Sequence, residues 1–522
     1  MNGIAMDLES IHAMKMELNR WLDIKEEMWH QRSCNNWLKV GDKNTTFFHT
    51  KASNRFRRNT ISRVLDSNNV WQEDADQIGQ TFVDYFEQLF FSSWPRVEPE
   101  LIDAVHSKVT DRMNPILTKD FQAVEVEKAL KQMHPLTALG PDGMPPLFYH
   151  HFWPIVKSIV IHTTLSFLNH GRAPPRFHDT HIELIPKIKN PEKVSDFRPI
   201  SLCNVAYKVA SKAVVNRMKV VLQDIISENQ SAFVAECLII NNVLVAHEVM
   251  NHINKKKKKG KCGEMAVKLD MSKAYDRVEW ECLQLIMRKL GFHEKWISIV
   301  MRCVSSMKYA IRVNGQPCGQ IRPTRGLKQG DQLSPYLFII CAERLSTLLH
   351  CTAQRKAIRG VAASARGPRI LHLFFANDSL VFGRASVSEA IEIQRILKVY
   401  ELSLGQQLNC TKTSLFFSPN TDVGIKETVK SMFGAQVIKP HESNLELPSL
   451  VGRSKNNTFA QLKQKVVGKV AGWKEKLLTH AGKEILIKLV AQATPAYSTS
   501  CFLLPNKLCE ELTGMIRQFW WG

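Results

Sequence analysis

Two short apolar segments, each running straight into an aspartate, constrain this 522-residue chain more than any other feature. Met265 to Met271 alternates apolar side chains and carries Asp270 near its end, while Leu371 to Phe375 runs into Ala376-Asn377-Asp378. Period-two alternation over a few residues is the pattern of a strand with one face in a core. Carboxylates at the ends of adjacent strands sit on a rigid sheet edge. Such an edge suits phosphoryl transfer, in which two divalent cations about 4 Å apart activate an attacking 3′-hydroxyl and stabilise pyrophosphate as it leaves. An isolated Asp after a strand is as often a helix cap, so the surrounding residues have to decide.

Charge gives the first support. Lys and Arg total 70 against 49 acidic residues, a formal net charge of +21, and such an excess favours a polyanionic partner such as nucleic acid. An anionic membrane surface would also suit this charge, but insertion into a membrane is not expected, because no run of about 18 uncharged apolar residues occurs. The nearest, Phe152 to Leu168, is broken by Lys157 and His162. Nothing near Met1 has the pattern of a cleaved signal. The 12 cysteines form no CxxC pair and no Cys/His cluster; they read as small buried hydrophobes in a reducing compartment.

Residues 1 to about 90 read as helical, with Trp21, Trp29 and Trp37 on one face as core residues. Phe47-Phe48-His49, followed by Lys51, Arg55, Arg57 and Arg58, interleaves aromatic and basic residues, which suits nucleic-acid contact as well as a solvated helix face. From about 120 the texture becomes mixed. A helix around Val124 to Met133 precedes the turn signal Leu139-Gly140-Pro141-Asp142-Gly143, His181 to Lys187 reads as a strand, and Lys208 to Gln223 as an amphipathic helix. Lys255 to Lys259 marks an exposed loop. The final hundred residues return to helix and stop at Phe519-Trp520-Trp521-Gly522, an apolar run without a polar cap.

The motifs around the two aspartates resemble those of non-LTR reverse transcriptases. Lys268-Leu269-Asp270-Met271-Ser272-Lys273-Ala274-Tyr275-Asp276-Arg277-Val278 is similar to their motif A, and Arg325-Gly326-Leu327-Lys328-Gln329-Gly330-Asp331-Gln332-Leu333-Ser334-Pro335 to motif B. Phe375-Ala376-Asn377-Asp378 stands in the place of motif C, and Gly405-Gln406-Gln407-Leu408-Asn409 with Lys412 resembles motif D. Ile185-Pro186-Lys187, Asp196-Phe197-Arg198-Pro199-Ile200-Ser201 and Gly140-Pro141-Asp142-Gly143 resemble the motifs before them. The Gly41-Asp42-Lys43-Asn44-Thr45 stretch and the tail from Gly472-Trp473-Lys474 to Trp521 resemble plant-type LINE polyproteins.

The resemblance implies an α+β right-hand polymerase fold: a helical basic N-terminal region over 1–120, fingers and palm over 121–440, and a truncated helical thumb over 441–522. It implies an RNA-directed DNA polymerase working on an RNA template, a DNA primer and dNTPs, with two Mg²⁺ ions (or Mn²⁺), inside the cell and with access to the nucleus. Asp270 would ligate both metals, with Asp378 as the second metal carboxylate. Tyr275 would pack under the incoming sugar and exclude a 2′-hydroxyl. Gln329 and Gly330 would line the nucleotide pocket, with Gly330 admitting close backbone approach. Lys187 and Arg198 would contact triphosphate or template as charge-assisted donors, and Lys412 would be the acid for departing pyrophosphate.

Three departures from the family pattern are visible. Asn377 stands where the family has the first Asp of motif C, which is expected to impair catalysis. Glu446, within Asn444-Leu445-Glu446-Leu447-Pro448-Ser449, replaces a Gly near the primer grip. Leu139 replaces a Pro, a change expected to be harmless. The family's upstream endonuclease and its C-terminal region are absent from the sequence, the expected pattern of a decayed copy. The alternative function is a catalytically inactive nucleic-acid-binding remnant; a maturase-like splicing role is disfavoured by the tail.

Overall fold

The computed structural model describes residues 13–23, 45–234, 237–256, 263–364, 367–437, 443–444, 447–448, 458–474 and 480–521. Packing divides the chain into two units, residues 61–450 and residues 1–60 with 451–522. Helices and sheets mix throughout the larger unit, as the α+β class requires.

In chain order the larger unit runs through α1 (Ala75–Phe90), β1 (Asp179–Pro186), β2 (Phe197–Cys203), α2 (Val205–Ile225), α3 (Ile239–Lys255) and β3 (Glu264–Leu269). It continues with β4 (Lys308–Val313), β5 (Gln316–Ile321), α4 (Ser334–Gln354), β6 (His372–Phe375), β7 (Asp378–Arg384), α5 (Val387–Leu404), β8 (Ser414–Phe417) and β9 (Gln436–Val437). Two sheets organise it. One has the order β2-β1-β4-β5, with β1 and β4 parallel; the other has the order β6-β7-β3-β8-β9, antiparallel except for β8 and β9.

The second sheet is buried on both faces, and the alternation along β3 shows how. Met265, Val267 and Leu269 point into the main core, while Ala266 joins Leu380, Phe382 and Phe416 under Ala246, Val249, Met250 and Ile253 of α3. Fully burying side chains of this size contributes about 1.5–3 kcal/mol each, so a one-residue register slip in β3 would cost far more than any loop contact. The sheet edge at the end of β3 is therefore rigid. Asp74 caps α1 by accepting from the backbone N–H of Asp76 and Gln77. Its apolar stripe (Ile78, Phe82, Phe86 and Phe90) is buried, and Phe82 meets Phe197 of β2 edge-on at 5.3 Å.

Three expectations are corrected. The helical reading of residues 1 to 90 misses a hairpin, Val64–Leu65 with Trp71–Gln72, whose turn closes on Asp66 as its Oδ1 accepts from the N–H of Asn68 and Val70. The Lys208 to Gln223 segment belongs to α2, which is buried on most sides and not amphipathic; Lys208 itself is interior, donating to the carbonyl of Ala138 at 2.7 Å. That bond, with Asp142 N–H donating to Asn204 Oδ1 at 3.1 Å, docks the Gly140 turn on α2. Trp21 is 63% exposed and not a core residue; Trp29 and Trp37 lie outside the described residues, as do Lys257 to Lys259 and Glu446.

In the smaller unit, Thr45–Asn59 forms a helix without an acidic residue in its first turn, and Arg55, Arg57 and Arg58 are exposed on it. The C-terminal helices Ala460–Lys474 and Asn506–Trp521 share a core that includes Val466, Leu508, Leu512 and Phe519. Phe519 of the terminal apolar run is thus packed, while Trp521 is exposed.

Candidate active site

Antiparallel register brings the two aspartates together. Leu269 of β3 pairs with Ser379 of β7 and Lys268 with Leu380; one further step along that register sets Asp270 opposite Asp378. Directly opposed residues in such a pair have Cβ atoms about 4.5–5.5 Å apart. The backbone of Asp270 is held on its other side, since its carbonyl accepts from Asn409 N–H at 2.8 Å and Ser272 N–H donates to the Gln407 carbonyl at 2.8 Å. This bridge carries Lys412 onto the carboxylate, with Nζ 3.9 Å from Asp270 Oδ2. The Lys412 side chain is 68% exposed, and an ion pair this open is worth about 0–1 kcal/mol. It keeps the lysine near without locking it.

Burial pushes the Asp378 carboxyl above its usual range; Lys268 and Lys412 pull it back, and the neighbouring Asp270 charge pushes it further up. A buried carboxylate raised by its surroundings and by a neighbouring negative charge is a site short of positive charge. Asn377 lies half-buried beside them, in the two-residue turn between Phe375 and Asp378. Its partner in the turn, Ala376, has φ +53°, a region that L residues seldom adopt.

Motif B folds back on the end of motif A. Gly326 N–H donates to the Val278 carbonyl at 2.8 Å and Leu327 N–H to the Tyr275 carbonyl at 2.7 Å. Gly326 has φ +95°, and a Cβ there would lie 2.7 Å from the Asp276 carbonyl oxygen, so only glycine permits this approach. Tyr275 is half-buried with its ring stacked on Phe338 of α4, centroids 4.7 Å apart and 14° between planes; burial pushes its hydroxyl pKa up to about 12. Gln329 directs Nε2 at both carboxylate oxygens of Asp276, each at 3.0 Å, and its carbonyl accepts from Ser201 N–H at 2.7 Å. Gly330 has φ +101°, and a Cβ there would lie 3.3 Å from the Ser201 carbonyl oxygen. Beneath this loop, Asp331 accepts from Ser211 at 2.7 Å and Lys328 donates to the Cys303 carbonyl at 2.8 Å and to Tyr207, all of them buried.

Lys187 follows β1 and donates from Nζ to the Ser195 carbonyl at 2.8 Å. Arg198 lies exposed on β2, paired with Ile185 across the ladder. Desolvation lowers the Lys187 pKa, helped by the positive charges of Lys412 and Arg198. Lys273, whose Nζ donates to the Phe197 carbonyl at 3.2 Å, is lowered to about 8 by burial first and by Lys187 second. Burial raises Asp276 to about 6 against the pull of Lys273 and Gln329. Asp270, Asp378, Lys412, Lys187, Lys273 and Asp276 therefore form one electrostatic neighbourhood, with Gln329 bonded into it and Tyr275 stacked apart on α4. Sequence reasoning gave no role to Lys273 or Asp276, although both lie inside the segment that resembles motif A.

Among the described residues, no cluster of three or more His, Cys, Asp or Glu side chains is arranged to hold a metal ion. Two opposed carboxylates and the Asn377 amide oxygen are hard donors, and Mg²⁺ is commonly held by one or two carboxylates with substrate phosphates completing its shell. This donor set fits Mg²⁺ shared with substrate, and not a cation caged by protein alone. Among the described residues no helix is long and apolar enough to cross a membrane.

Strand-end carboxylates with a basic neighbourhood beside them are features that a nucleotidyl-transfer site requires. The profile of the reverse transcriptase (RNA-dependent DNA polymerase) family matches residues 185–457, which span this entire neighbourhood. The chain belongs to the reverse transcriptase family, and its resemblance to the reverse transcriptase region of non-LTR retrotransposons stands. It is 21% identical over 489 residues to the transposon TX1 uncharacterized 149 kDa protein of Xenopus laevis, covering 92% of this chain and 36% of that protein. It is 26% identical over 234 residues to the Pol polyprotein of a type-1 retrotransposable element R2 from Nasonia vitripennis, covering 45% of this chain and 21% of the relative. With the Pol polyprotein of the type-2 retrotransposable element R2DM from Drosophila melanogaster it shares 23% over 273 residues, 52% of this chain and 24% of the relative. The chain thus spans about a third or less of the length of these relatives.

Proposed function

We propose that this chain carries the site for RNA-templated, two-metal extension of a DNA primer, and that Asn377 slows it severely. The register of β3 against β7, whose last pair Leu269–Ser379 leaves Asp270 and Asp378 next in line, is the observation that carries the reading. In this assignment residues 121–440 act as fingers and palm and 441–522 as thumb. When bound, the metal pair (Mg²⁺, or Mn²⁺) supplies Lewis acidity for the primer 3′-hydroxyl and the leaving pyrophosphate. Asp270 and Asp378 would hold it on the sheet edge. Lys187, Lys273 and Arg198 provide positive charge for the triphosphate or template backbone. Lys412, close to Asp270 and free to swing, gives a proton to the departing pyrophosphate oxygen. Tyr275 supplies a rigid ring against Phe338 on which the sugar rests, and Gln329, held by Asp276, lines the base side of the pocket with Gly330.

The test is extension of oligo(dT) on poly(rA) by the purified chain in Mg²⁺ and in Mn²⁺. Slow extension that Asp270→Asn abolishes is expected. Extension indifferent to Asp270→Asn overturns the assignment. The second reading, a nucleic-acid-binding remnant without catalysis, draws on Asn377 and the missing third acidic ligand; it predicts duplex binding with no extension in either metal, and none in Asn377→Asp.

A further inference from the structure

The turn that carries Asn377 and Asp378 does not hold its shape alone. Two-residue hairpin loops favour Gly, Asn or Asp at positive φ, yet here Ala376 takes φ +53°. A residue in such a conformation persists when its surroundings over-determine it, and here the surroundings come from outside the hairpin. The segment Asn229 to Ser231 lies parallel beside β6. The Asn229 carbonyl accepts from Phe374 N–H at 2.8 Å, and Ser231 N–H donates to the Phe374 carbonyl at 3.1 Å. Asn242 of α3 ties the same place from the other side, donating to Ser231 Oγ at 2.9 Å and to the Phe374 carbonyl at 3.0 Å.

On this frame Gln230, 1% exposed, reaches the tip of the hairpin. Its Oε1 accepts from the N–H of Ala376 at 3.1 Å and from that of Ala232 at 3.0 Å. One side chain thus holds the N–H of the strained residue. Its Nε2 is buried and has no hydrogen-bond partner among the described residues. An unmet buried donor destabilises the fold. A methionine of similar length would avoid that cost but offers Ala376 only a weak thioether acceptor. What the amide provides is its oxygen.

We infer that Gln230 is a positioning residue that fixes the Asn377–Asp378 turn against Asp270, an inference that rests on the two-metal reading of that turn. Gln230 acts through the Ala376 N–H. Without that acceptor the alanine relaxes toward negative φ and carries Asp378 out of the register that opposes it to Asp270.

The experiment uses the full chain with Gln230→Met, Ala376→Gly and the double variant. Hydrogen exchange is followed in the 372–380 peptide, and the Mn²⁺ half-saturation concentration by electron paramagnetic resonance. Outer partners of metal ligands typically change affinity by about 10–100-fold. Gln230→Met is expected to speed exchange in that peptide and to raise the Mn²⁺ half-saturation about tenfold. In the Ala376→Gly background, where positive φ costs little, the same substitution is expected to do markedly less. Additive effects in the cycle overturn the inference, as does a lower melting temperature with unchanged Mn²⁺ half-saturation. Should Gln230→Met not fold, Gln230→Asn withdraws the acceptor by one methylene and is read the same way. Asp270→Asn separates the two levels: if it leaves Mn²⁺ binding unchanged, the two-metal reading fails, and the exchange data still decide whether Gln230 holds the turn.

Discussion

Replacing Asn377 by Asp is expected to restore most of the lost rate. Asn offers a neutral oxygen at a half-buried position beside two carboxylates, one of which, Asp378, is already pushed toward protonation by burial. Losing one charged partner from a buried cluster costs roughly 3–5 kcal/mol, or about 10²–10⁴ in rate at about 1.4 kcal/mol per decade. The same geometry sets a second, opposite effect. In the absence of metal a third carboxylate faces Asp378 and Asp270; at about 6 Å and an effective dielectric near 20–40 each pair repels by about 1–3 kcal/mol. Asn377→Asp should therefore melt earlier than the parent in chelator, and gain more than the parent does on adding Mg²⁺ or Mn²⁺. The assays are single-nucleotide extension at equal folded concentration and calorimetric melting with and without metal. Equal extension rates for the two chains, with equal metal-induced shifts, would refute the reasoning, because Asn would then be serving as well as Asp.

Other consequences can be checked on the same preparations. Tyr275→Ala in the Asn377→Asp background should admit ribonucleotides, with a drop of at least tenfold in dNTP over NTP selectivity; unchanged selectivity removes Tyr275 from the sugar-contacting role. Lys412→Ala should lower extension by about 10²-fold, within the range for loss of a general acid; an unchanged rate leaves it an ordinary surface lysine. His372 is fully buried against Ser346, and desolvation holds its pKa down at about 3. Its stabilisation is complete above the unfolded value near 6.5 and is lost as pH falls, by about 2 kcal/mol between pH 6.5 and 5; His372→Gln should flatten the melting temperature over that window. With a net charge of +21, affinity for RNA–DNA duplex should fall steeply with salt, and retention of affinity over a tenfold rise would exclude a phosphate-dominated interface.

What could be read from the sequence was what short-range pattern encodes. Met265 to Leu269 alternates because one face meets the main core and the other meets α3, so the strand that delivers Asp270 was visible before its partners were. The turn at Gly140 to Gly143 was visible for the same reason, since Gly143 takes φ +70°. Pairing between distant segments was not. No local feature says that Ser379 faces Leu269, that Gln329 is bonded to Asp276, or that Gln230 meets Ala376 across 146 positions. The misreadings have the same origin. Lys208 reads as the polar face of α2, yet it is interior because the Ala138 carbonyl meets it. Trp21 reads as core from its helical spacing with Trp29 and Trp37, and is exposed.

The separation between what folds this chain and what would make it a catalyst has a physical basis. The side chains that stabilise the central sheet (Val267, Leu269, Val381 and Leu415) are fully buried aliphatics within the strands, whereas Asp270, Asn377 and Asp378 lie at strand ends or in the turn between strands, where a change of charge alters no packing. An Asp-to-Asn change at a turn keeps volume and shape, so the hydrophobic terms that dominate folding do not register it. In the metal-free chain it even removes repulsion. Folding stability thus exerts no pressure to retain the third carboxylate and a slight pressure against it; only turnover with metal and substrate bound requires it. Gln230 sits on the other side of this boundary. Its buried amide carries a cost to the fold through the unmet Nε2 donor and a return through the turn, so it belongs to the part of the molecule where stability and geometry of the site are the same contact.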